Sequence, residues 1–235
     1  MSSQPGVFVD TSVLIDYCRP YAEDHDCTQL VLDNASVPLV MSDFIKDKFS
    51  TLMKQRQDLY TKFFEEVPRY FDDIKNPTEA EMQVAREKIF DIGYIEQIVS
   101  SDIHASAEND LQILKSKFGD MTPHEFLRKI DDIQQRAQTE ESAINQVSET
   151  VPCRIHSTLE PYLHSTLSDE MRATAVAHAV SHLQGKSSNR LLVRHGDPAF
   201  RFKEEINNQI QTWVSSRATL EIISPRQAAE AFDAN

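Results

Sequence analysis

The sequence predicts an α/β protein, and three observations carry that prediction. Short apolar runs rich in β-branched residues end in a polar switch and are followed by helical periodicity, the strand-then-helix grammar of this class. That grammar occupies the first third of the 235-residue chain, lapses, and returns after about residue 150. The stretch between reads as helix throughout, without strand signals, so the chain is expected to be an α/β domain with a helical insertion. Hydrophobic residues make up 40% of the chain, enough to fill a core of that size.

The first strand is Val7–Val9, closed by Asp10, with Thr11 and Ser12 as helix-starting residues. Residues 37–41 form a second apolar run, followed by Ser42 and Asp43 and a helix to about Phe71. Its Phe44, Ile45, Phe49, Leu52, Met53, Leu59 and Phe63 recur at helical spacing. Two capping boxes then punctuate the middle of the chain, Thr78 with Glu81 and Thr122 with Glu125, the second with Pro123 at the first helical position. Gly93 weakens the first of these helices, expected to run to about Ser100, and Gly119 reads as a stop before the second. In the second, Phe126, Ile130, Ile133, Ala137, Glu140, Ile144 and Val147 alternate four and three apart, a narrow seam interrupted by Glu140. The seam suits either a hairpin packed on its own domain or a surface for a protein partner or a homodimer.

After the insertion, residues 151–156 are expected to hold a short strand, and residues 167–180 an Ala-rich helix with Ser168 as cap. Residues 190–194 and 219–223 follow as strands, and a last helix starts at Ser224 and Pro225. The α/β domain therefore spans 1–75 and 150–235, and the insertion 76–149.

Charge is unevenly spread. The net charge is −13, and residues 76–150 hold 15 acids against 7 bases, more than half the excess. Residues 44–62 and 186–217 run the other way, the first with Lys46, Lys48, Lys54, Arg56 and Lys62, the second with Arg194 and Arg201 among its six bases. Either pattern is an ordinary solvated face or, in the basic stretches, a phosphate-binding one. Three scattered cysteines form no pair at metal- or disulfide-framework spacing, so a reduced, cytoplasmic compartment is expected. No apolar run approaches the roughly 20 residues of a membrane span, and no signal-peptide pattern opens the chain. Five glycines without a phosphate-cradling pattern argue against a nucleotide site.

The acids carry the functional reading. Ligands of open parallel sheets gather outside the carboxyl ends of the strands. Asp10, Asp169 and Asp197 lie at such ends or at the start of the next helix, and Asp43 and Asp47 open the helix after the second strand. Gathered carboxylates repel unless a cation neutralises them, and oxygen ligands without a His/Cys set favour Mg²⁺ or Mn²⁺. Such a centre suits hydrolysis of a phosphodiester.

The stretch "VFVDTSVLIDY" resembles the opening of PIN domains, a family of metal-dependent nucleases whose first strand ends in an Asp followed by Thr or Ser. The later order is similar: an acid-bearing helix, an acid before an Ala-rich helix, a strand ending near an acid, then "EIISP" and a closing helix. The resemblance covers about residues 5–75 and 150–233. It implies a three-layer α/β/α sandwich with a central, mostly parallel sheet, and an endoribonuclease, often the toxin of a toxin–antitoxin pair. It also implies Asp10, Asp169 and Asp197 as metal ligands, with Asp47 or Asp43 completing the catalytic set. Thr11 and Ser12 would orient a ligand, and Lys46, Lys48, Arg194 and Arg201 would hold RNA or another single-stranded nucleic acid. Three departures accompany it. Lys48 stands where the family has a Glu, Asp169 is about one residue from its usual place, and Arg194 replaces a Thr with one extra residue before Asp197. A second expectation follows, a PIN-like protein with a weakened site that binds nucleic acid or protein without cutting. The Arg-His-Gly at 194–196 also spells a histidine-phosphatase signature with His195 as nucleophile, but only 40 residues follow, and none is His. His178 and His182 lie four apart on one helix face without a third ligand, which suits a polar face better than a metal site.

Overall fold

A computed structural model of the chain describes residues 7–33, 39–72, 78–90, 104–147, 149–151, 159–167, 176, 179–180, 188–194, 197–213, 217 and 219–233. The chain divides into two compact units. Met1–Cys18, Glu23–Ser50 and Glu140–Asn235 form one, and Arg19–Ala22 with Thr51–Thr139 the other.

The first unit is built on a sheet. Its strands are β1 (Val7–Val9), β2 (Leu39–Ser42), β3 (Glu149–Val151), β4 (Ser188–Leu192) and β5 (Thr219–Ile223), in the order β3-β2-β1-β4-β5. Every described pairing is parallel, with Phe8 beside Val40 on one flank and Leu191 on the other. Parallel strands covered on both faces read as continuous apolar runs rather than alternating ones. β1 and β2 are buried at every position, whereas β5 at the end of the order alternates exposed and buried residues. Helix α1 (Thr11–Tyr17) follows β1 directly, and α2 (His25–Leu32) comes next. The mixed α/β class with a parallel sheet is thus as the sequence predicts. β3 ends where the short strand at 151–156 was expected to begin, and residues 152–158 lie outside the described residues.

Helix α3 (Asp43–Asp72) starts in the sheet unit and continues in the second unit. There it is joined by α4 (Glu79–Ile89), α5 (His104–Phe118) and most of α6 (Pro123–Val147). Both capping boxes form: Thr78 N–H donates to Glu81 Oε2 at 2.8 Å, and Thr122 N–H to Glu125 Oε2 at 3.0 Å. Gly119 donates to the Lys115 carbonyl at 2.9 Å, and a Cβ there would lie 2.5 Å from that oxygen, so the stop requires glycine. The seam faces inward: Phe126, Ile130 and Ile133 are buried in this unit's own core with Tyr21, Leu59, Tyr60, Phe63, Phe90, Leu111 and Leu114. Phe126 meets Phe63 and Phe90 edge-on at 5.3 and 5.1 Å between ring centroids. The limits of this unit fall inside α3 and α6.

Back in the sheet unit are α7 (Leu159–Leu167), the single turn α8 (Pro198–Arg201), α9 (Lys203–Trp213) and α10 (Pro225–Asp233). Ser224 and Gln227 exchange backbone and side-chain hydrogen bonds at the start of α10, as its Ser-Pro opening predicts. Of the expected Ala-rich helix, Val176, Ala179 and Val180 are helical and buried, while Ser168, Asp169, His178 and His182 lie outside the described residues. Among the described residues no helix is long and apolar enough to cross a membrane.

Candidate functional site

The strand order reverses direction at β1. The chain winds outward through β2 and β3 on one side, then returns to place β4 and β5 on the other. Helices leaving neighbouring strands at such a point open a crevice at the strands' carboxyl ends. Asp10 ends β1, and Asp197 follows β4, so both acids belong to the reversal point.

Each is held by local backbone geometry. Asp10 is the N-cap of α1, extended at φ −78° and ψ 153°. Its Oδ2 accepts from Ser12 N–H at 2.9 Å and from the Ser12 hydroxyl. Its own N–H donates to the Leu192 carbonyl of β4 at 3.0 Å, tying the cap to the neighbouring strand. Asp197 caps the following turn: Oδ1 accepts from Ala199 N–H at 2.8 Å, and Pro198 takes the first helical position. Both residues are only 7% exposed. Burial pushes the Asp10 carboxyl above its usual 3.8 first of all, hydrogen bonds from Ser12 pull it down, and the negative charge of Asp197 pushes it up again. Asp197 is therefore near enough for its charge to act on Asp10.

Asp16, which the sequence reading passed over, is the third acid of this region. It lies on α1 within a run of buried residues, with its side chain 3% exposed, and Arg194 grips it with two hydrogen bonds, Nε to Oδ2 at 2.6 Å and Nη2 to Oδ1 at 2.7 Å. Nη2 also lies 3.4 Å from the Ser12 carbonyl. An acid between Ile15 and Tyr17 on a helix this apolar calls for a cation, but nothing local in the sequence says which; here it is the half-buried Arg194, two residues past β4.

The other expected site residues are distributed as follows. Thr11 is buried and Ser12 half-buried at the start of α1. Asp43 and Asp47 are exposed on the first turns of α3, Lys46 is half-buried, and Lys48 is exposed with its ammonium 5.7 Å from the Phe44 ring centroid. Arg201 is exposed at the end of α8. Among the described residues, no three His, Cys, Asp or Glu gather into a group that could hold a metal ion. The described core of the site is thus a pair, Asp10 and Asp197. Asp169, His195, His178 and His182 lie outside the described residues.

No family model matches this chain, and no curated protein or solved structure is significantly similar to it.

Proposed function

We propose that this chain is a PIN-like, three-layer α/β/α protein acting as a metal-dependent endoribonuclease, with Asp10 and Asp197 as the centre of its site. One observation carries the reading. Two buried carboxylates stand at the strand-order reversal close enough for the charge of one to raise the pKa of the other. Like charges brought together under burial are costly, and this arrangement is typical of groups kept for chemistry.

The donor set suits a hard divalent cation. Mg²⁺ is commonly held by one or two carboxylates, with water and substrate phosphate completing its shell. Asp10 and Asp197 would hold Mg²⁺ or Mn²⁺, with Asp169 as the third acid that the resemblance supplies. A divalent ion held by these residues would supply charge neutralisation and a more acidic water. The protein's own part is positional. Ser12 fixes one oxygen of Asp10 through two hydrogen bonds, and the β4 carbonyl of Leu192 fixes its backbone. Lys46, Lys48 and Arg201 hold the RNA backbone, which positions a strand without reading its sequence.

The experiment is a thermal-shift titration with Mn²⁺. Binding to the folded state alone raises the melting temperature, by about 2.7 kcal/mol of stability at a concentration 100 times the dissociation constant. Wild type is expected to shift and Asp10→Asn to shift much less; equal shifts overturn the assignment. A second reading, a PIN-like binding module without catalysis, draws on the fact that both acids already cap helices, a sufficient structural role in itself. It predicts no shift in either protein.

A further inference from the structure

We propose that Asp16 and Arg194 form a brace that positions Asp197 beside Asp10, so that Asp16 is a positioning residue of the site and Arg194 serves the brace rather than the nucleic acid. The brace itself stands on geometry alone; its consequence for metal binding rests on the function proposed above.

Arg194 is held at both of its ends. Its guanidinium is locked to α1 by the two-pronged contact with Asp16 and the longer one to the Ser12 carbonyl. Its backbone carbonyl accepts the Asp197 N–H at 3.1 Å. Asp197 is therefore referenced, through one residue, to the helix that Asp10 caps. Two parallel N–H···O bonds fix orientation as well as distance, which a lysine ammonium on a flexible stem does not reproduce. The Ser12 carbonyl that Arg194 approaches belongs to the same residue whose hydroxyl and N–H hold Asp10. The start of α1 thus holds the Asp10 carboxylate directly and, through Arg194, the backbone of Asp197. The arrangement also accounts for Arg194 where the resemblance expects Thr: a longer side chain spans to α1, and an acid is waiting there.

A merely structural ion pair would stabilise the whole sheet unit without favouring Asp197, and amide hydrogen exchange in the metal-free protein separates the two. In Asp16→Asn the Asp197 amide is expected to exchange about 10-fold faster, the scale of one lost charge-assisted hydrogen bond. The amides of Val193 and Asp10, which donate to Ile223 and Leu192, should stay within about 2-fold. Equal acceleration of all three, or no change at Asp197, overturns the brace. Arg194→Lys keeps a cation for Asp16 and covers the case in which Asp16→Asn does not fold. It should show the same selective loss at Asp197, and a wild-type pattern in it overturns the proposal. A Mn²⁺ titration forms the second arm. If wild type binds the ion, Asp16→Asn should weaken binding by about 10–100-fold, as loss of a ligand's supporting partner does. Unchanged affinity denies Asp16 a positioning role. If wild type binds no Mn²⁺, the metal reading fails, and the exchange pattern still decides the brace.

Discussion

Both units pair buried carboxylates with arginine, and the sheet unit in addition brings the charge of Asp197 to bear on buried Asp10. In the helical unit Asp110 is fully buried and is met by two arginines, Arg19 and Arg56, the latter with Nε 2.9 Å from Oδ2. Tyr21 and Tyr60 share a hydroxyl–hydroxyl contact of 2.8 Å in the same core, and burial raises the pKa of both. In the sheet unit Asp16 receives the same treatment from Arg194, whereas Asp10 faces the like charge of Asp197. A buried acid met by guanidinium groups is a structural joint. A buried acid acted on by a second acid is held in its charged form less readily, and such groups collect at functional sites.

Stability measurements can break this contrast. The largest effect is expected for Asp110→Ala, which leaves two buried guanidinium groups without their acid. It should cost about 3–5 kcal/mol in urea denaturation. A cost under about 1 kcal/mol would mean that the cluster is solvated and no joint at all.

Asp10→Asn should act with the opposite sign. Asn caps a helix as well as Asp does, so the start of α1 is kept while the charge is removed. The folded pKa of Asp10 lies above the ordinary 3.8, so the native chain holds that proton to higher pH than the unfolded chain does. Stability from this group is therefore greatest below 3.8, falls as pH rises through the folded pKa, and above it carries the full cost of the buried anion. Metal-free Asp10→Asn is expected to match wild type in acid and to exceed it at pH 7. Each 1 kcal/mol of relief appears as roughly 2–4 °C in melting temperature. A variant less stable than wild type at pH 7 would make Asp10 a structural residue like Asp110.

The smallest effect should come from a pair in the open. Arg190 and Glu221 face each other across β4 and β5 at 2.7 Å, both more than half exposed or close to it, at 50% and 56%. Arg190→Ala should cost about 0.2–1 kcal/mol, and less in high salt. A loss comparable to that of Asp110→Ala would show that burial is not what separates these pairs.

Much of the architecture was legible because it is written in local patterns. Val7–Val9, Thr219–Ile223 and the helix from Asp43 declare themselves by composition and period, and Thr78–Glu81, Thr122–Glu125 and Ser224–Pro225 by capping chemistry. What escaped was set by partners distant in sequence or by weak periods. Among its described side chains α9 buries Ile206 and Ile210 between polar neighbours, too thin a stripe to separate from a loop, and α2 opens on Asp24 without a side-chain cap bond. At the site, Asp10 and Asp197 could be read from their places after strands. Asp16 could not, because its meaning depends on Arg194, 178 residues away.

In the proposed function Asp10 and Asp197 act together on a phosphodiester. The most direct measurement is cleavage of single-stranded RNA by the purified chain with Mn²⁺, comparing wild type with Asp10→Asn and Asp197→Asn. Cleavage should be abolished by chelator and fall about 10²–10⁴-fold in each variant, the scale of several kcal/mol of transition-state stabilisation. Cleavage that survives Asp10→Asn at the wild-type rate, or no Mn²⁺-dependent cleavage by wild type at all, would contradict it.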